Sequence, residues 1–218
     1  MSRPRGQGEA SPLDPDILTA IAGSRDATAR LMVSLDKLDD SLAGRPSLLP
    51  GWSVGHVVTH LARNADSFVR ILHAAGEGRA VPQYPGGAAE RNQDIEQGAK
   101  RATEVILEDL EDSAGRLDAT WHEVGALVWQ GHGLRADGSL LPCRVLPISR
   151  WREVEVHHLD LGLGYAASDW PAEFVTLDLP YALDRLPERL GDPAQRAEFL
   201  AWIYGRTERP SDFVLRPF

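Results

Sequence analysis

The sequence predicts a mainly α protein: a four-helix bundle followed by a small C-terminal α+β lobe. Three observations lead there. Apolar residues recur at three- and four-residue steps over four stretches before residue 162. Segments rich in Pro and Gly separate those stretches. Beyond Pro171 the pattern changes to a short alternation, a further helical stretch and a last short apolar run. Residues 1–12 read as a disordered tail, 13–165 as the bundle and 166–218 as the lobe.

The first helix is expected from Asp16 to Leu42, with Ile17, Ile21, Thr28, Leu31, Leu35, Leu38 and Leu42 on one face. Pro46 to Gly51 then turns the chain, and Ser53 stands where an N-cap would satisfy the free amides of a second helix. That helix carries Val54, Val57, Val58, Leu61, Ala65, Phe68 and Leu72 as its apolar stripe and ends between Ala75 and Gly78. The Pro- and Gly-rich stretch Gly78 to Gly87 breaks the helical pattern. A third helix follows from Ala89 to Leu117, with Ile95, Ala99, Ala102, Ile106, Leu110, Ala114 and Leu117 inward.

From Thr120 to Leu141 the periodicity weakens, and Gly131, Gly133 and Gly138 suggest an irregular excursion or a small hairpin. A fourth helix starts after Pro147 and runs to Leu161, with Trp151, Val154, His158 and Leu161 on one side. In the lobe, Phe174 to Leu179 alternates as a strand does. Arg185 to Tyr204 is helical, and Asp212 to Leu215 reads as a closing strand.

Composition narrows the possible partners. The 218 residues are 43% hydrophobic and 25% charged, an ordinary globular balance. Lys and Arg number 23 against 32 Asp and Glu, so a net charge of -9 repels a polyanion and argues against nucleic acid. The longest uncharged run, near Leu48 to Ala62, falls short of the ~20 apolar residues of a membrane span. Met1 to Ser11 has no apolar run behind its arginines and reads as a tail rather than a signal peptide. Cys143 is the only cysteine, which excludes an internal disulfide and a cysteine-rich zinc site and fits a reducing, cytoplasmic setting.

Glu153 and His157 stand four apart on the fourth helix, so they can grip one ion from the same face. Such a pair also arises by chance in many helices, so a further ligand must come from elsewhere. The second helix offers His56 and His60. At about 100° per residue, His60 lies beside the apolar stripe and His56 points nearly opposite, toward water. His60 with Glu153 and His157 gives two imidazoles and a carboxylate, a set that suits a catalytic divalent zinc with an open position. Asn64 is either an outer contact of the site or a packing residue, and Asp160 either orients His157 or faces solvent. His158 is expected to pack with Trp151 and Leu161.

The stretches LLPGWSVGHVVTHLARNADSF, RNQDIEQGA and RWREVEVHHLDLGLG resemble the mycothiol-dependent maleylpyruvate isomerase family, over about residues 13 to 165. The resemblance implies a DinB-like metal-binding bundle with His60, Glu153 and His157 as zinc ligands and mycothiol as cofactor. The segment Trp202 to Arg206 is similar to the family's W-L-x-G-R motif, which makes Arg206 a candidate catalytic anion clamp, with an exposed structural arginine as the alternative. The lobe matches less clearly.

What the resemblance implies is a cis-trans isomerisation. A zinc-bound thiol is deprotonated near neutral pH, adds to the conjugated double bond of maleylpyruvate, and leaves after rotation to give fumarylpyruvate. A mycothiol S-transferase acting on an electrophilic small molecule is an alternative. A metal-dependent hydrolase and a non-catalytic metal-binding module are others, because one scaffold hosts several activities. The expected partners are a small electrophile and a low-molecular-weight thiol, with the chain a monomer or homodimer.

Overall fold

In a computed structural model of the chain, residues 14–135, 137–191 and 193–208 are described. The N-terminal tail and the closing strand expected at Asp212 to Leu215 lie outside them. The chain divides into two compact units at Trp170/Pro171.

The first unit is built on four long helices: α1 (Pro15–Leu35), α3 (Val54–Gly76), α5 (Thr103–Glu123) and α6 (Leu146–Asp160). Two shorter ones, α2 (Asp40–Ala43) and α4 (Gly87–Gly98), join them. Helix α3 packs on α5 and α6, and α1 packs on α6 and α5, which closes the four into a bundle. Leu31, Leu35, Val57, Val58, Leu61, Ile71, Leu72, Ile106, Leu110, Leu146 and Val154 are wholly buried between them.

Three helices expected to be continuous are interrupted, two in this unit and the one expected over Arg185 to Tyr204 after Arg189. The first stops at Leu35, because Asp39 turns its carboxylate onto the Leu42 amide at 2.8 Å and caps a new turn, α2. The third breaks into α4 and α5. Asp40 Oδ1 accepts from both the backbone N–H (2.9 Å) and the hydroxyl (2.6 Å) of Thr103, so a residue 63 positions away sets where α5 begins. Helix α4 crosses α3 closely at Gly98, where a Cβ would come within 2.4 Å of the Thr59 methyl.

The excursion before α6 is a hairpin of β1 (His132–Leu134) and β2 (Leu140–Pro142), antiparallel with Gly133 opposite Leu141. Leu141 and Cys143 enter a core cluster with Phe68, Ile71, Leu117, Trp121 and Trp129.

The second unit is helical where it is described, with α7 (Ala172–Arg189) and α8 (Pro193–Ile203). The strand expected over Phe174 to Leu179 lies inside α7. A six-residue alternation is too short to separate the two periods, and Pro171 at the N-cap with Glu173 in the first turn starts a helix there. Among the described residues, no helix is long and apolar enough to cross a membrane.

Candidate metal centre

Helix α3 begins with a reciprocal cap. Ser53 accepts from the His56 amide, and His56 Nδ1 accepts from the Ser53 amide at 3.2 Å. The same imidazole meets Glu96 of α4 through Nε2 at 3.0 Å. His56 therefore does not face free water as its helical angle suggested, and it ties α4 to the start of α3.

One turn further, His60 faces α6 and is 4% exposed. His60 Nε2 stands 2.9 Å from Glu153 Oε2, and His157 Nε2 stands 3.4 Å from the same oxygen. The two imidazole rings cross almost at right angles with centroids 4.8 Å apart. One donor atom from each of His60, Glu153 and His157 lies within 4.8 Å of the others. Bonds of about 2.0–2.1 Å in a tetrahedral zinc site put donors about 3.3–3.5 Å apart. The 3.4 Å from His157 to Glu153 matches this, while the 2.9 Å from His60 to Glu153 would lengthen and the widest separation, within 4.8 Å, would shorten around an ion.

The surroundings hold this arrangement. Asp160 Oδ2 is 2.8 Å from His157 Nδ1, which fixes the ring and turns Nε2 toward Glu153. Burial works to lower the His157 pKa, but hydrogen bonds and charge from Asp160 and Glu153 prevail and push it up to about 9. Burial works to raise Glu153, yet His157 and His60 hold it well below the usual carboxylate range. Burial lowers His60, which therefore stands neutral beside its neighbours at neutral pH.

One turn deeper, Asn64 Oδ1 accepts from Arg150 Nη1 at 2.9 Å, and Leu61 O accepts from the same nitrogen at 2.7 Å. Arg150 is 2% exposed. Burial pulls it down to about 10, so it stays a cation at neutral pH, three residues before Glu153 on α6. At the outer side Trp52 presents an edge to His60 at 5.6 Å, and Arg91 Nη2 comes within 3.2 Å of His60 Nδ1. Burial raises the Tyr84 phenol, which therefore remains protonated beside Arg91 and Glu153.

Sequence reasoning passed over Arg150, Arg91, Tyr84 and Trp52. Spacing offered a signal only for Arg150, one turn from Glu153 on the same helix; the others arrive from a loop, a turn and α4. His158 has partners beyond the packing expected of it. It stacks on Tyr165 (3.7 Å, 3° between planes) and meets Ser34 Oγ at 2.7 Å. Cys143 is fully buried, and burial pushes its thiol up to about 11. Arg206 belongs to the second unit and is exposed just past α8.

Comparison with known proteins gives three similar structures and one family. The family described as mycothiol maleylpyruvate isomerase N-terminal domain matches residues 24–162. The crystal structure of a mycothiol-dependent maleylpyruvate isomerase is similar at a TM-score of 0.69 with 29% identity, covering 73% of this chain and 66% of that one. A histidine-to-alanine variant of that isomerase matches with 28% identity and the same TM-score and coverage. YfiT from Bacillus subtilis, described as a probable metal-dependent hydrolase with an unusual four-helix bundle topology, shares the fold at a TM-score of 0.55 and 16% identity, covering 83% of this chain and 94% of that one. No curated protein sequence matches the chain.

Proposed function

Because the chain belongs to the mycothiol maleylpyruvate isomerase N-terminal domain family, we propose that it is a zinc- and mycothiol-dependent isomerase of the maleylpyruvate isomerase type. The observation that carries this reading is the convergence of His60, Glu153 and His157, from two helices, on one point. Two imidazoles and one carboxylate are a donor set of catalytic zinc sites, which keep a position for an exogenous ligand. The chain spans 66% of the length of the isomerase structures it matches, so its own substrate has to be established directly.

His60, Glu153 and His157 would hold the ion, with Asp160 fixing the tautomer of His157. When bound, zinc with mycothiol would supply a thiolate at neutral pH, whose reversible addition to a conjugated cis double bond lets that bond turn before elimination. The chain does not furnish this sulfur itself, since Cys143 is buried and its thiol stays protonated. Trp52 shields one side of His60, and Arg150 places a fixed positive charge beneath Glu153. Arg206, in the second unit, would hold a substrate carboxylate. A cytoplasmic setting would keep the thiol reduced.

Metal analysis of the purified protein, followed by an assay on maleylpyruvate with and without mycothiol, tests the proposal. Stoichiometric divalent metal and thiol-dependent formation of fumarylpyruvate are expected. Accumulation of a stable thiol adduct instead identifies an S-transferase, and turnover without thiol removes the isomerase reading.

A further inference from the structure

Positive charge around the cluster is unevenly partnered. Arg63 pairs with Asp66 and Asp109, Arg101 with Asp109, Arg116 with Asp66, and Arg30 with Glu155. Three arginines near the cluster are paired with no carboxylate among the described residues: Arg70 and Arg150 are held by oxygens, Arg70 on Gln83 O at 2.7 Å and Arg150 on Leu61 O and Asn64 Oδ1, whereas Arg91 of α4 has weaker partners. Its Nη1 donates to Asn92 Oδ1 at 3.1 Å and its Nη2 reaches His60 Nδ1 at 3.2 Å. The guanidinium carbon lies 5.7 Å from the Trp52 ring centre and 5.6 Å from that of Tyr84. Two aromatic neighbours hold the planar fork oriented, so little further freedom is lost when it takes a ligand.

The imidazole is a conditional partner. His60 Nδ1 accepts from Arg91 only while the ring hydrogen sits on Nε2, directed at Glu153 Oε2 2.9 Å away. A metal ion on Nε2 leaves the hydrogen of the neutral ring on Nδ1, and Arg91 then faces another donor. Loading the site therefore frees the arginine for a different acceptor beside the cluster. Arg91 and Tyr84 also line a cavity of ≈ 190 Å³, whose wall carries Arg63 and Arg70 besides the acids Asp66, Glu90 and Asp94. Arg63 is held by Asp66 and Asp109 and Arg70 by the Gln83 carbonyl, so Arg91 is left to offset one negative charge, while Glu90 and Asp94 disfavour a doubly charged phosphate. A carboxylate meets both conditions and matches the fork in geometry.

We propose that Arg91 is a specificity-determining residue that binds a carboxylate of the substrate at the metal centre, with Trp52 and Tyr84 holding its guanidinium in place. The proposal rests on the isomerase-type reading, whose substrate is a small carboxylate.

The test titrates maleate, a stable cis dicarboxylate, into the zinc-loaded full chain by calorimetry, with zinc content measured on the same samples. Arg91→Met should weaken maleate binding by about 10-fold or more, the scale of a lost charge-assisted pair. Arg91→Lys should recover part of that affinity, because charge remains while the fork is lost. Zinc content should not change, and with maleylpyruvate both variants should raise KM more than they lower kcat. Equal maleate affinity in wild type and Arg91→Met overturns the proposal, as does absence of maleate binding by zinc-loaded wild type. Loss of zinc from both variants makes Arg91 a support for His60 and overturns it too. A wild type that takes up no zinc defeats the proposed function and this proposal with it, whereas zinc uptake with equal maleate affinity in wild type and Arg91→Met defeats the proposal alone.

Discussion

His157 is held from two sides, by Asp160 on Nδ1 and Glu153 on Nε2, and the consequences are measurable. Its pKa in the fold, pushed up to about 9, exceeds the ordinary histidine value of about 6.5. The stabilisation from its charged form is therefore complete below about pH 6.5 and lost as pH rises through about 9. Metal-free protein should lose at most about 3 kcal/mol across that window, read from urea midpoints. Zinc uptake displaces the same proton, so zinc affinity should rise over the same range. Replacing His60, Glu153 or His157 by Ala should abolish tight zinc binding, by elemental analysis, with little change in circular dichroism. Asp160→Asn should weaken zinc binding by about 10–100-fold, the usual effect of loosening a ligand's orienting partner.

At the scale of elements, the site is made by the facing of α3 and α6, and α6 is seated by its contact with α1. The Trp151 ring fills the space that a side chain at Gly23 would need; a Cβ there would lie 2.4 Å from ring atoms. Gly23→Ala should therefore overpack this seam and cost about 1–3 kcal/mol in urea unfolding. Glu155, on another face of α6, accepts from Trp151 Nε1 at 2.9 Å and from Arg30 at 2.6 Å, and Tyr165 donates to it at 2.5 Å. Helix α6 thus spends one carboxylate on anchoring and another, Glu153, on the cluster. Spacing singles out Glu153, four before His157, but gives no sign that Glu155 is taken up by Arg30, Trp151 and Tyr165.

Across the whole molecule, the three candidate ligands belong to the first compact unit and Arg206 to the second. A chain ending at Trp170 should retain zinc at the level of the full protein, measured by elemental analysis. In the full chain, Arg206→Ala should raise KM for maleylpyruvate without reducing zinc content, if its guanidinium holds a substrate carboxylate as proposed. The two measurements separate holding the ion, in the first unit, from what Arg206 adds to holding the substrate besides Arg91.

The four long amphipathic stretches, the Ser53 cap, the hairpin near Gly138 and the His60–Glu153–His157 combination were all legible in the residues. Helical period, local hydrogen bonding and the four-residue step from Glu153 to His157 act over a few positions, whereas His60, 93 positions from Glu153, was joined to them by donor type and the family resemblance. The interruption at Ala99 to Ala102 was not legible, because Asp40 sets it from a distant part of the chain. Neither was the anchoring of His158 on Ser34, nor the placing of Arg91 against His60 between Trp52 and Tyr84. Short-range pattern decides which face of a helix is apolar. Only packing decides which polar groups meet across that face, because such pairs join residues dozens of positions apart and leave no periodic trace.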